Sequence, residues 1–248
     1  MNLAERGSQT AKDGFRNEDD IVEKFNNWQK DKVAQSWLTL MKYKLAEIEY
    51  VEAVKISGYK TDVQVQVTIK CRKALDVENL QVKLVSNLKG FNQIDKRWID
   101  KYAEMWNIPN KIVSILKRYT GEEPPSISSP IDKRRMFANE FSEREQYCIL
   151  QWLKENQSLI VSDILKGRGR FAAEWMLVAQ KIDKNARWIL KSMNFCMNYF
   201  GNGDIAVTNR GNFRIGKITM QRKGGDAGRD TASMLQFKIN PAELFDLE

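Results

Sequence analysis

Apolar residues recur at helical spacing over about residues 10 to 29, and again over about 31 to 42 around Trp37, Leu38 and Leu40, which predicts two amphipathic helices. From Tyr50 to Ser57 the pattern turns extended, Gly58 and Tyr59 mark a bend, and Asp62 to Lys70 then alternates strictly between polar and apolar side chains. This last segment is the clearest strand in the chain. After the linker CRKALDVEN, a short strand is expected from Leu80 to Val85, followed by helices over 92 to 106 and 109 to 119. Residues 120 to 131, TGEEPPSISSPI, are too rich in Pro, Ser and Gly to continue a helix and read as an exposed loop. Beyond it the spacing predicts a long helix from Phe137 to Asn156, a core strand from Glu174 to Ile182 and a helix over about 187 to 200. Short extended runs at 204 to 208, 212 to 222 and 233 to 240 are separated by glycines, and no internal repeat is visible.

Composition narrows the partners. A chain of 248 residues, 42% hydrophobic, buries one substantial core and reads as a single domain. Its 40 Lys and Arg against 32 Asp and Glu leave a net charge of +8, so the surface attracts a polyanion, with nucleic acid the first candidate. No stretch approaches the ~18 apolar residues of a membrane span, and MNLAERGSQTAKDG lacks a signal-peptide apolar region, so a cytoplasmic protein is expected. Cys71, Cys148 and Cys196 have no zinc-ligand spacing and are expected as buried free thiols. The absence of histidine says more, because it removes every mechanism that needs an imidazole base or an imidazole metal ligand. A nuclease built on this chain works with carboxylates, amides and lysine.

Alternation shows where such groups meet. In DVQVQVTIK, Val63, Val65, Val67 and Ile69 share one face, while Asp62, Gln64, Gln66, Thr68 and Lys70 share the other. In LQVKLV, Leu80, Val82 and Leu84 likewise leave Gln81 and Lys83 together on the opposite face. If the two strands pair, Asp62 meets Gln81 and Lys83. Mg2+ takes hard oxygen ligands, which the Asp62 carboxylate, the Gln81 amide oxygen and a main-chain carbonyl such as that of Val82 can supply, with a DNA phosphate completing the shell. Lys83 would orient or help deprotonate the attacking water and offset charge developing on the phosphate. A polar strand face is also what any half-exposed sheet shows. On the first helix, Phe15, Glu18, Val22 and Phe25 are spaced to put one carboxylate inside an apolar stripe, where Glu18 either holds a second metal or a water beside Asp62, or pairs with a nearby lysine. Asp13, Asp19 and Asp20 read as N-terminal helix charges.

The segment TDVQVQVTIKCRKALDVENLQVKLVSN, an Asp followed after eighteen residues by Gln-Val-Lys, resembles the active-site segment of the HinPI group of type II restriction endonucleases. That group belongs to the PD-(D/E)XK superfamily, in the variant shared with MspI where an amide replaces the second acidic residue. Here Gln81 takes that place and Thr61 stands where the superfamily often has Pro. The segments LAERGSQTAKDGF, SGYKTD, KGFNQIDKRW, KRRMF, GRGRFAAEWMLVAQK, NARWIL, TMQRKGG and MLQFKINPAELFDLE are similar to the same group, so the resemblance runs over nearly the whole chain. It implies an α/β fold with a mixed β-sheet flanked by helices, Mg2+-dependent cleavage of double-stranded DNA after the first G of GCGC, a back-to-back homodimer, no nucleotide cofactor and a bacterial host. The catalytic segment then lies at about 10 to 100 and the DNA-recognition segment at about 204 to 240.

Within that reading, KGFNQIDKRW begins a helix just after the Lys83 strand, bringing Gln93 and Lys96 near DNA. QRKGGDAGRD presents Gln221, Arg222, Lys223, Asp226 and Arg229 among glycines that permit close approach. Arg and Lys donate to guanine O6 and N7 and Asp accepts from cytosine N4, which suits a G/C site. KGRGR, Lys166 to Arg170, suits phosphate contacts, although Arg170 stands where the group carries an acidic residue. KRR at 133 to 135 reads as a surface patch, and the tryptophans, among them Trp98, Trp106 and Trp152, as mostly core. The rival readings are a non-catalytic double-stranded DNA-binding protein on a nuclease fold and a structure-selective repair nuclease. An RNA-binding module lacks an aromatic platform.

Overall fold

The computed structural model describes residues 3–69, 75–182, 185–225 and 228–247. The chain opens with α1 (Leu3–Asn26), α2 (Lys32–Leu40), β1 (Ile48–Lys55), β2 (Val63–Ile69), β3 (Leu75–Val85) and β4 (Asn92–Arg97). The helices α3 (Ile99–Trp106), α4 (Asn110–Thr120), α5 (Glu143–Glu155) and α6 (Gln157–Leu165) follow. The last part holds β5 (Trp175–Ile182), β6 (Asn185–Ser192), α7 (Met193–Gly201), β7 (Ile205–Val207), β8 (Phe213–Ile215), β9 (Ile218–Arg222) and β10 (Leu235–Ile239). Contacts divide the chain into two compact units, one of Ser8–Asn92, Leu165–Cys196 and Asn240–Glu248, the other of Met1–Gly7, Gln93–Ile164 and Met197–Ile239.

The first unit is built on a five-stranded mixed sheet in the order β1-β2-β3-β5-β6. β1, β2 and β3 run antiparallel in succession, β3 pairs with β5 in parallel, and β6 closes the sheet antiparallel to β5. The expected alternation of β2 holds, since Val63, Val65, Val67 and Ile69 are buried and the residues between them half-covered. Their face packs on Ile21 and Phe25 of α1 and on Trp37 and Leu38 of α2. α2 starts where it does because the Asp31 carboxylate accepts the main-chain N–H of Val33 at 2.8 Å and of Ala34 at 3.0 Å, the usual satisfaction of orphan donors at a helix start. The C-terminal 3-10 helix, Pro241–Leu247, packs against β3 and β5.

The second unit carries the sheet β4-β10-β9-β8-β7, in which β7 to β10 form an antiparallel meander. Four expectations are corrected. Residues 92 to 97 are strand β4 and not the first turns of a helix, which begins only at Ile99 after an extended Trp98. Residues 185 to 192 are strand β6, so the helix expected from 187 starts at Met193. The helix expected from Phe137 starts at Glu143, where Ser142 and Glu145 make a reciprocal capping box. The segment read as a linker before Leu80 is already strand from Leu75, while residues 70 to 74, with Lys70 and Cys71, lie outside the described residues. Cys196 is buried as expected, but Cys148 is only partly covered.

Candidate active site

Asp62 stands just before β2, held by its main chain on both sides. Its N–H donates to the Leu80 carbonyl at 2.8 Å and its own carbonyl accepts from the Ile56 N–H at 2.9 Å. Its carboxylate reaches the third strand, where Oδ2 accepts the Val82 N–H at 2.6 Å and lies 3.9 Å from Lys83 Nζ. Both side chains are largely withdrawn from water, Asp62 27% and Lys83 13% exposed. At 3.9 Å the ammonium and carboxylate attract without forming a hydrogen bond, which leaves the lysine's donors for another acceptor.

Gln81 shares a face of β3 with Lys83 and sits beside Met176 of β5. It is 2% exposed, and its Oε1 is buried with no hydrogen-bond partner. Such an orphan acceptor costs ~1–3 kcal/mol. The N–H and carbonyl of one strand residue leave on the same edge, so the Val82 carbonyl is directed to the edge where its N–H meets Asp62. β3 thus carries an unsatisfied amide oxygen next in sequence to a main-chain carbonyl on the Asp62 side, and with the Asp62 carboxylate these are a donor set of the chemistry that fits a hard divalent cation. Among the described residues no group of three or more His, Cys, Asp and Glu is placed to hold a metal, so a cation here depends on the amide and main-chain oxygens.

Glu18 of α1 joins the three. It is half-buried, and its carboxyl is pushed up to about 7, first by burial, then by the like charge of Asp62, against the opposing pull of Lys55 and Lys83. The helix is tied to the sheet by Asp19 with Lys55 at 2.5 Å and Asp20 with Lys181 at 2.7 Å. These carboxylates are mid-helix anchors and not N-terminal charges, because α1 begins at Leu3. The buried stripe is also rotated from the expected one. Phe15 is 60% exposed, and Asn17, Ile21 and Phe25 occupy the sheet-facing positions, with both side-chain polar atoms of Asn17 buried and unpartnered. The spacing of Asn17, Ile21 and Phe25 is legible in the sequence, but an amide heading an apolar stripe carries no sign that it will be buried.

The residues expected to read DNA belong to the second unit, whereas Asp62, Gln81, Lys83 and Glu18 belong to the first. Gln93 and Lys96 are exposed on β4. Gln221 and Arg222 end β9 half-covered, and Lys223 follows with its N–H donated to the Met234 carbonyl at 2.8 Å. Arg222 is committed to its own unit, since Nε donates to the Thr120 carbonyl at 2.7 Å and Nη2 lies 3.4 Å from Ser233 Oγ. Burial, then the neighbouring Arg134 and Arg135, lower its proton affinity. Arg229 is exposed and precedes a 3-10 turn, and Asp226 lies outside the described residues.

The first unit is thus a mixed sheet with Asp62 just before its second strand and Gln81 and Lys83 on the third, an arrangement open to the chemistry of a metal-dependent nuclease. Residues 41–245 match the R.HinP1I restriction endonuclease family, and the chain belongs to that family. It is a type II restriction endonuclease, an enzyme that hydrolyses DNA at specific sites, with DNA as its partner and a divalent metal as the family's general requirement. A solved structure similar to it is that of restriction endonuclease MspI in complex with its cognate DNA, 14% identical, with a TM-score of 0.67 over 96% of this chain and 93% of that one. At that identity the likeness shows the fold, which bears out the expected fold class. No curated protein matches the chain. Among the described residues no helix is long and apolar enough to cross a membrane.

Proposed function

We propose that Asp62, Gln81 and Lys83, with Glu18, carry the cleavage of double-stranded DNA, that the metal is Mg2+, and that the site cut is GCGC, after its first G. The observation that carries the active-site assignment is the buried, unpartnered Gln81 Oε1 on the strand whose next residue, Val82, gives its N–H to the Asp62 carboxylate. Asp62 Oδ2, Gln81 Oε1 and the Val82 carbonyl would hold the ion, which when bound polarises the phosphate and offsets its charge. Lys83 orients the attacking water and stabilises the charge that develops on the phosphate. Without metal, burial and the neighbouring Asp62 charge push the Glu18 carboxyl up to about 7, and a bound cation favours its ionised form.

For the target, the resemblance supplies GCGC, and the chemistry of Gln93, Lys96, Gln221, Lys223, Asp226 and Arg229 agrees with a G/C site. Arg222 contributes by bracing the strand end through Thr120 and Ser233. We take the recognition segment to be residues 204 to 240, the working form to be a back-to-back homodimer, and the location to be the bacterial cytoplasm. Plasmid DNA incubated with the protein and Mg2+, with the fragment ends sequenced, tests this. Discrete ends after the first G of GCGC are expected. Ends at branches or mismatches would replace the reading with a repair nuclease, and uncut DNA across metals and salt would replace it with a DNA-binding protein.

A further inference from the structure

The basic loop that precedes β5 is fastened to the strand ends of the active site. It closes on itself through the Ala173 N–H and the Lys166 carbonyl at 2.8 Å, and through the Ala172 N–H and the Gly169 carbonyl at 3.0 Å. Two side chains of the catalytic sheet then hold its main chain. Thr61, fully buried and next to Asp62, donates Oγ1 to the Phe171 carbonyl at 2.8 Å. Asn79, buried on β3, donates Nδ2 to the Arg170 carbonyl at 3.0 Å and is itself held by Gln64 Nε2 at 3.0 Å. Gly167 lies at φ +78 so close to Lys60 that an added Cβ would stand 2.4 Å from the lysine Cγ. The Phe171 ring seats on Tyr59 with centroids 4.3 Å apart.

Asn79 and Gln81 leave the same face of β3, and same-face neighbours on a strand are ~7 Å apart. The loop is thus a wall of the candidate site. Its carbonyls are turned inward to Thr61 and Asn79, while Arg168 and Arg170 are exposed. The Arg170 guanidinium lies over the Phe171 ring at 4.6 Å, a geometry that leaves in-plane N–H donors available. Successive phosphates of one DNA strand follow every ~3.4 Å of helix axis. A cation on a loop whose main chain is fastened next to Asp62 therefore reaches a phosphate neighbouring the one cut before it reaches a base edge.

We propose that the loop Lys166–Phe171 is a backbone subsite beside the cutting site, in which Arg168 and Arg170 hold a phosphate flanking the one hydrolysed. This rests on the active-site reading above. Thr61 and Asn79 are positioning residues that act through the loop. Because such contacts carry no sequence information, the loop sets how tightly the duplex is held and where the scissile phosphate lies, and leaves the target sequence unchanged.

The test compares wild type with Arg168→Ala/Arg170→Ala for binding to a GCGC duplex at several salt concentrations without Mg2+, and for end positions with it. Loss of that phosphate contact lowers the slope of log affinity against log salt by ~0.9, and the ends stay where the wild type makes them. In duplexes with one neutral methylphosphonate at a time near the cut, one position should weaken wild type and leave the variant unaffected. An unchanged slope, or neutral positions that weaken both proteins equally, would overturn the subsite. Binding is read without cleavage, so a lost slope difference in a protein that still cuts rejects the loop alone, and a retained one in a protein that does not cut rejects the active-site reading alone.

Discussion

At the scale of single residues, the site is a set of unequal costs. Gln81 Oε1 is buried without a partner, so the metal-free fold bears a penalty that Gln81→Leu removes. That variant should melt higher than wild type without metal, by ~2–4 °C for each kcal/mol recovered, and Mg2+ should no longer raise its melting temperature. Equal melting of the two proteins with and without Mg2+ would exclude the amide as a ligand. Lys83 faces Asp62 at 3.9 Å, and in the proposed function it offsets charge that appears only during reaction. Lys83→Ala should bind DNA as wild type does and lose ~10²–10⁴-fold in single-turnover rate. Glu18 has the opposite sign from a salt-bridged carboxylate. Its ordinary value of 4.5 rises to about 7 in the fold, so the folded state holds a proton that the unfolded chain releases. Stability from this group is present below 4.5 and is lost as the pH climbs to about 7. In metal-free protein Glu18→Gln should match wild type at pH 4.5 and exceed it in melting temperature above pH 7, and Mg2+ should narrow the gap by favouring the ionised carboxylate.

At the scale of elements, legibility followed the clarity of boundaries. β2 was readable because its alternation is complete and one face lies wholly in the core. β4 and β6 are hidden in the sequence for one shared reason. A single residue, Trp98, separates β4 from α3, and none separates β6 from α7, so no glycine or proline marks the change of period. A window spanning both averages a strand into the helix that follows it. Capping sets helix starts by side-chain chemistry close in sequence, with Asp31 accepting from Val33 and Ala34 near the expected start of α2, but Ser142 with Glu145 starts α5 six residues after the expected Phe137. Asp31 also receives Lys24 Nζ at 3.0 Å, tying the end of α1 to the start of α2. Asp31→Ala should cost ~1 kcal/mol, read as a lower midpoint in urea, with DNA cleavage unchanged; a shift in cleavage at constant stability would mean that the α1–α2 junction acts on the site.

At the scale of the whole molecule, cutting and reading chemistry are assigned to different compact units, each with its own five-stranded sheet. The parallel partner of β3 is β5, so the central pair of the catalytic sheet joins residues 80 to 85 with 175 to 180. Parallel neighbours require a crossover, and here the intervening chain builds most of the second unit. The net charge of +8 gives the molecule a sequence-independent attraction for duplex DNA. For a footprint of ~6–10 phosphates, affinity should fall ~10³–10⁵-fold between 50 and 200 mM salt, measured by filter binding or fluorescence anisotropy. A flat salt response would mean that the positive surface is not where DNA lies.

The sequence by itself determined which chemistry was possible. Without histidine, and with eighteen residues between Asp62 and the Gln81-Val82-Lys83 run on a compatible strand face, the pattern points to a carboxylate, amide and lysine site. Period and composition are local properties, so they assign a residue to a face but not to a neighbour. Only the tertiary structure decided that Gln81 Oε1 has no partner, that Asn17 and not Phe15 heads the buried stripe, that Arg222 is committed to Thr120, and that Thr61 and Asn79 fasten a loop about a hundred residues away. Each depends on groups brought together by burial and strand pairing across long stretches of chain, where the local pattern carries no record of what will be opposite.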